Sequence, residues 1–119
     1  MLDLYNRETI TAALLQPLDP ELRTLIAERW ADAIASDLAD LTHILVVQAG
    51  DTEADIAEAI GFNLLDAEVP FPDWREHFGT YHELIYCVGN SGFAFLVLVQ
   101  DAEGVLPELL ELCRAGITA

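Results

Sequence analysis

The sequence predicts an α+β domain in which a small, mainly antiparallel sheet of about three strands packs against about four helices. Three observations support this class. A long apolar hairpin fills residues 81–100, a short apolar run rich in β-branched residues fills residues 42–48, and amphipathic helical patterns surround both. Strands and helices grouped without regular β-α alternation are typical of α+β folds. The chain of 119 residues is long enough for a core and short enough for a single domain, residues 1–119.

The hairpin, YHELIYCVGNSGFAFLVLVQ, is the most apolar stretch of the chain. Two runs of aromatic, aliphatic and β-branched residues flank a Gly-Asn-Ser-Gly connection at residues 89–92, which is typical of paired antiparallel strands. Both faces of both strands are largely apolar, whereas a strand with one wet face alternates apolar and polar residues. We therefore expect this hairpin to be central in the sheet, or to be covered on both sides.

The helices are predicted from their start signals and from their spacing of apolar residues. Asn6 can cap a helix that runs to about Leu15. The Asp-Pro-Glu sequence at residues 19–21 starts a second helix that reaches about Ala39. Its apolar stripe comprises Leu22, Leu25, Ile26, Trp30, Ala33, Ile34 and Leu38.

Two further helices flank the hairpin. Thr52 and Asp55 form a capping-box pattern that starts the third helix, and Gly61 is a good stop for it. Pro107 opens the final helix and Gly116 closes it. Residues 62–80 lack a clear period; we expect a short helical turn near residues 73–78 and an extended piece around residues 68–71.

The composition limits the function classes. The apolar fraction is 53%, which is high for so short a chain and favours a homodimer. The formal net charge is −16, from 21 carboxylates against 5 arginines. Such a charge favours a basic protein partner and opposes direct binding to nucleic acid or to anionic membranes. The absence of Lys excludes a Walker A loop, a Schiff-base lysine and a Ser-x-x-Lys site.

The cysteine count and the N-terminus indicate a cytoplasmic protein. Cys87 and Cys113 are too few for a disulfide scaffold, and we expect both to be small buried hydrophobic residues. The N-terminal sequence MLDLYNRE has neither the basic region nor the apolar core of a signal peptide. The longest apolar run is too short to span a bilayer.

The best candidate binding surface is the aromatic and histidine-rich stretch before and within the first hairpin strand. The predicted binding residues are Phe71, Trp74, Arg75, His77, Phe78, Tyr81 and His82. The alternative interpretation is that the aromatic rings close one end of the core and that the histidines are partly exposed.

No residue is predicted to be catalytic, and no metal or cofactor is predicted. His82 and Glu83 are adjacent on a strand and therefore point to opposite faces, so they do not complete a metal site with His77. Cys87 lies five positions after His82, which also places the two side chains on opposite faces. The Gly-Asn-Ser-Gly turn does not lead into a helix, so it lacks the features of a phosphate loop.

Two stretches carry a resemblance. HILVVQAGDTEADI (residues 43–56) and GFAFLVLVQDAEG (residues 92–104) resemble parts of small acidic proteins of unassigned function of the alphaproteobacterial type. The resemblance covers about a quarter of the chain. It implies a bacterial, cytoplasmic protein, and no functional residues come with it.

The leading hypothesis is a non-catalytic interaction protein that binds a basic macromolecule. One version is an inhibitor or immunity-like protein, in which acids steer association. The other is a DNA mimic, whose rows of acids would come from Glu21, Glu28 and Asp32 together with the helix at residues 51–58. Acids scattered over the surface would count against the mimic.

The alternative hypothesis is a small-molecule binding or enzymatic domain with a pocket between residues 62–80 and the hairpin. Arg75 would bind an anionic group there, His77 or His82 would act as acid or base, and Trp74 would form a wall.

Overall fold

The computed structural model describes residues 1–66, 72, 74–87 and 93–118. Within them the elements are β1 (Leu2–Leu4), α1 (Arg7–Leu14), α2 (Pro20–Ala35), β2 (Thr42–Val47), α3 (Glu53–Ile60), β3 (Trp74–Phe78), β4 (Tyr81–Cys87), β5 (Ala94–Gln100) and α4 (Pro107–Thr118). A short 3-10 helix, Ala39–Leu41, precedes β2.

The strands form one mixed sheet in the order β1-β2-β5-β4-β3. Three of its pairings are antiparallel, and β2 runs parallel to β5. The predicted α+β class and the four helices are confirmed for the described residues. The predicted hairpin is also confirmed, because β4 pairs antiparallel with β5 from Tyr81–Gln100 to Cys87–Ala94.

Helices cover both faces of the sheet, which explains why both faces of the hairpin are apolar. On one face, Leu22, Leu25 and Ile26 of α2 pack with α1 against Ile44 and Leu98. The opposite face holds a second core around α3 and α4, which includes Leu45, Ile56, Val97, Val99 and Leu109. The central strand β5 is fully buried from Leu96 to Val99. The core therefore has two layers, one on each side of the sheet.

The predicted helix starts are confirmed by their caps. The side chain of Asn6 accepts a hydrogen bond from the backbone N–H of Thr9, and that of Thr52 accepts one from the backbone N–H of Asp55. Gly61 follows α3 in the left-handed conformation, with φ of 87°, as a C-terminal stop requires.

Two helix ends differ from the prediction. Helix α2 ends at Ala35 rather than near Ala39, and Asp37 adopts a positive φ of 58° that breaks the helical path. The later residues of its predicted apolar stripe, Ile34 and Leu38, are exposed. Helix α4 continues through Gly116 to Thr118, because a glycine lowers helix propensity without by itself ending a helix.

The sheet has five described strands, and the prediction of about three was wrong in two places. Strand β1 has three residues, too few to show a period. The helical turn predicted near residues 73–78 is strand β3, in which every side chain but that of Phe78 is exposed. The predicted extended piece at residues 68–71 and the hairpin connection at residues 89–92 lie outside the described residues.

Cys113 is buried as expected, but Cys87 is exposed at the end of β4, so the prediction of two buried thiols was half wrong. None of the helices described here is both long enough and apolar enough to cross a membrane.

Candidate functional site

The predicted binding residues lie mainly on the hairpin of β3 and β4, at one edge of the sheet. These strands pair from Trp74–Ile85 to Phe78–Tyr81, and Gly79 and Thr80 form the turn between them. The Glu21 carboxylate of α2 accepts hydrogen bonds from the Thr80 backbone N–H, at 2.8 Å, and from its hydroxyl, at 3.1 Å. Gly79 has a positive φ of 59°, and a Cβ there would collide with Glu21. The hairpin turn is thus held against α2.

Strand alternation divides the predicted residues between the two faces of the sheet. Arg75, His77 and His82 lie on the α4 face, because Arg75 pairs with Leu84 and His77 pairs with His82. Phe78 and Tyr81 pack in the core on the α2 face, and Trp74 shares their side of β3.

A single pocket that combines Trp74 with Arg75 and His77 is therefore not assembled, since Trp74 lies across β3 from the other two. Phe71 lies outside the described residues. Ligand binding by the remaining residues stays a prediction.

On the α4 face, His82 takes part in a chain of hydrogen-bonded side chains. Its Nε2 lies 2.9 Å from Oδ2 of Asp101, and Arg114 of α4 donates two hydrogen bonds to the same carboxylate. The Arg114 guanidinium, and secondly His82, lower the pKa of Asp101 to about 2. The His77 ring lies 4.8 Å from the buried His82 ring, between centroids. This chain links β4, the segment after β5, and α4.

A carboxylate that orients a histidine is also part of many nucleophilic catalytic sites, in which a Ser or Cys nucleophile lies beside the histidine. Cys87 lies on the opposite face of β4 from His82, as the spacing predicted. The geometry around His82 therefore supports a structural role at least as well as a chemical one.

On the α2 face, the buried charge of Glu83 is paired with Arg29. Glu83 is 1% exposed, and Arg29 donates two hydrogen bonds to it, from Nε at 2.7 Å and from Nη2 at 2.9 Å. Arg29 also lies 3.5 Å from Asp32 and 3.8 Å from Glu76. The hydrogen bond to Glu83 is the main reason why the pKa of Arg29 is raised. One guanidinium is thus shared by three carboxylates.

Sequence reasoning did not select Arg29 or Glu83, because 54 positions separate them. One local signal was present. Glu83 interrupts an apolar strand that is covered on both faces, and a buried carboxylate requires a cationic or hydrogen-bonding partner. Its partner could not be named from the spacing.

Tyr81 occupies a structural position between β4 and α2. Its hydroxyl donates a hydrogen bond to Oδ2 of Asp19, the residue that caps α2, at 3.2 Å. Burial, together with the nearby Asp19 and Glu21 carboxylates, raises the pKa of Tyr81 to about 12. The tyrosine is therefore neutral across the physiological range.

A second group of aromatic rings lies on the face of the sheet that α3 and α4 cover. His43 contacts the Asp3 carboxylate and lies 5.3 Å from Phe95, and Phe62 lies 5.7 Å from both Phe95 and Tyr86. Sequence reasoning did not select this group. These contacts join β1, β2, β4, β5 and the segment after α3.

The arginines and the acids differ in how far they are paired within the chain. Arg23 donates to the backbone carbonyls of Leu14 and Gln16, at and just after the end of α1. Arg29 pairs with Glu83, and Arg114 pairs with Asp101. The exposed carboxylates occur on every helix and on β3: Glu8, Asp19, Glu28, Asp32, Asp37, Asp40, Asp55, Glu58, Asp66, Glu76, Glu103, Glu108 and Glu111. These three arginines thus make internal contacts, while most of the described acids face solvent.

The described acids do not lie on one face, as the rows of the DNA-mimic hypothesis require. Helices α2 and α3 lie on opposite faces of the sheet, so the acids of one cannot continue the row of the other. Glu21 is also held by Thr80.

Among residues 1–66, 72, 74–87 and 93–118, no group of three or more His, Cys, Asp or Glu side chains could hold a metal ion. Comparison with protein-family models, with curated proteins and with solved structures finds no match to this chain.

Proposed function

We propose that this chain is a non-catalytic, acidic interaction protein of the inhibitor or immunity type, whose partner is a basic protein. The observation that carries the proposal is the imbalance of accessible charge. The formal net charge is −16, and Arg23, Arg29 and Arg114 make contacts within the chain. Few cations therefore remain to offset the carboxylates that face solvent.

The physical consequence of this imbalance is electrostatic steering. A protein surface of one sign attracts a partner of the opposite sign over distances of about 10 Å at 0.1 M salt, and so raises the rate of association. The same field repels nucleic acid and anionic membranes. Exposed acids also favour solubility, and the pull-down below separates specific binding from this role.

The inhibitor version is preferred to the DNA mimic for a geometric reason. A mimic presents its carboxylates in rows on one face, whereas the exposed acids here lie on helices of both faces. A cytoplasmic location, from the sequence, is part of the proposal.

A homodimer is a further part of the proposal. Exposed apolar side chains support it, in particular Leu15 at 82% exposure, together with Ile34 and Leu38 at the end of α2. Light scattering after size-exclusion chromatography would measure the mass in solution, and a monomer at every concentration would contradict this part.

The test of the main proposal is an affinity pull-down from lysate of the source organism, washed with increasing salt and read by mass spectrometry. We expect one basic protein to be retained at low salt and released as salt screens the charges. An unrelated acidic protein of similar charge serves as the control bait. The proposal fails if the two baits retain the same proteins, or if only a second copy of the chain is retained.

The alternative, a small-molecule binding or enzymatic domain, is favoured by one observation: Arg75, His77 and His82 share the α4 face. Thermal-shift screening with small anionic compounds would test it. A compound that stabilises the native chain, but not an Arg75→Ala variant, would favour this alternative.

A further inference from the structure

Strand β3 is the outermost strand of the sheet, next to β4. In the part of the chain that the structure describes, no strand pairs with its outer side. An edge strand presents unpaired backbone N–H and C=O groups that can accept an added strand. The other edge, β1, has three residues, whereas β3 has five. Strand β3 is thus the longer edge.

The side chains of β3 on the α2 face alternate aromatic, acidic, aromatic. Trp74 is 56% exposed, the Glu76 side chain is 51% exposed, and Phe78 is partly buried. A strand added beside β3 would place its own alternate side chains against these three. The favourable partner sequence on this face is therefore apolar, basic, apolar.

The charges around Glu76 strengthen the preference for a cation. Arg29 is the nearby guanidinium, and its two hydrogen bonds go to the buried Glu83. Two further carboxylates lie near the Arg29 guanidinium: Glu76 at 3.8 Å from Nη2 and Asp32 at 3.5 Å from Nη1. One cation therefore faces three carboxylates. A lysine or arginine from an added strand would balance this excess of negative charge.

We propose that the β3 edge binds an extended segment of another protein, in which every second residue alternates between apolar and Lys or Arg, as an added strand of the sheet. The inference rests on the function proposed above and names the part of the surface that the basic partner contacts. Backbone hydrogen bonds supply affinity in this mode, and Trp74, Glu76 and Phe78 supply sequence preference.

A second copy of this chain fits the same edge poorly. A two-fold axis perpendicular to the sheet pairs β3 antiparallel with its copy, and the register that pairs all five residues sets Glu76 opposite Glu76. Like charges directly opposite one another destabilise a strand pair. The homodimer proposed above therefore uses a different surface.

Charged residues on an edge strand also protect it from aggregation. Protection accounts for Arg75, Glu76 and His77 on β3. It does not account for the exposed ring of Trp74, because a large apolar side chain on an edge promotes association. Binding explains the charged and the aromatic residues together.

The test uses short fluorescent peptides and the full chain. One peptide repeats Val-Thr-Lys-Thr, so that Val and Lys alternate along one face of the added strand. A second has the same composition with its lysines in one block, and a third repeats the first with a methylated backbone along one edge. Fluorescence anisotropy would give the affinities. We expect the alternating peptide to bind most tightly and the methylated peptide to lose binding, because it cannot form the backbone hydrogen bonds.

Matched variants locate the binding surface. Glu76→Gln and Glu58→Gln each remove one exposed carboxylate, on β3 and on α3. We expect Glu76→Gln to weaken binding about threefold to fivefold, as for an exposed ion pair, and Glu58→Gln to have little effect. Circular dichroism would establish that both variants fold.

Several outcomes would overturn the inference. Equal binding of the alternating and block peptides, with equal effects of the two variants, would show that charge alone attracts basic chains; the proposed function would then survive without the β3 site. No binding of the alternating peptide would reject the site. A Trp74→Ala variant that converts a dimer to a monomer would assign the edge to a second copy. Failure of the pull-down, by contrast, would count against the proposed function itself.

Discussion

Arg29 and Glu83 form an ion pair that joins α2 to strand β4, with the Glu83 carboxylate buried. Arg29→Met would leave the Glu83 carboxylate buried without its cation, and we expect it to lower the free energy of unfolding by about 3 kcal/mol. The double variant Arg29→Met/Glu83→Met should recover most of this loss, since two apolar side chains of similar volume leave no unpaired charge. Urea unfolding followed by tryptophan fluorescence would measure both. A double variant no more stable than Arg29→Met would contradict this account.

The structural role of a residue was predictable from the sequence where its partner is close along the chain. Asn6 and Thr52 were identified as helix caps because the cap and its partner are three positions apart. Arg29 and Glu83 were not, because their contact depends on how α2 crosses β4. The candidate residues were divided between two faces for a related reason. Their grouping was inferred from nearness along the chain, whereas a strand sends neighbouring side chains to opposite sides.

At the scale of elements, Asp101 links α4 to the edge of the sheet. Its folded pKa of about 2 lies below the ordinary value of 3.8, mainly because of Arg114 and then His82. A carboxylate with a lowered folded pKa stabilises the fold above its unfolded pKa and loses that contribution as the pH falls. We expect Asp101→Asn to lower the free energy of unfolding by about 1 kcal/mol at neutral pH. The difference from the native chain should shrink as the pH falls from 3.8 towards about 2.

Urea unfolding of both proteins across this pH range, at low protein concentration, would measure the effect. Glu58→Gln, on the exposed side of α3, is the matched control and should show a smaller difference at neutral pH. A loss of stability in Asp101→Asn that is the same at every pH would contradict the electrostatic explanation.

The elements themselves were predictable when they are long enough to show a period in the sequence. The helices and strands β2 and β5 have enough residues to show helical spacing or a continuous apolar run. Strand β3, with the sequence WREHF, has no apolar face along most of its length because it lies at an exposed edge. The parallel pairing of β2 with β5 was not predictable either, since two strands buried on both faces give no indication of which neighbour each will take.

At the scale of the whole molecule, the excess of 21 carboxylates over 5 arginines makes self-repulsion the dominant long-range charge effect. Added salt weakens this repulsion, but it also weakens the attraction within pairs such as Arg114–Asp101. The carboxylates outnumber the possible pairs, so repulsion should prevail. We expect the Tm to rise by about 4 °C, or about 1 kcal/mol, between low salt and 0.5 M NaCl.

Thermal unfolding in NaCl would test this expectation, and chloride is preferred to sulfate because sulfate also strengthens the burial of apolar groups. The control is the triple variant Glu8→Gln/Glu58→Gln/Glu111→Gln, whose exposed side chains lie on three different helices. Because it begins with less repulsion, it should have a higher Tm at low salt and a smaller response to NaCl. A Tm that falls with salt would show that ion pairs outweigh repulsion. In that case the exposed acids would not destabilise the fold.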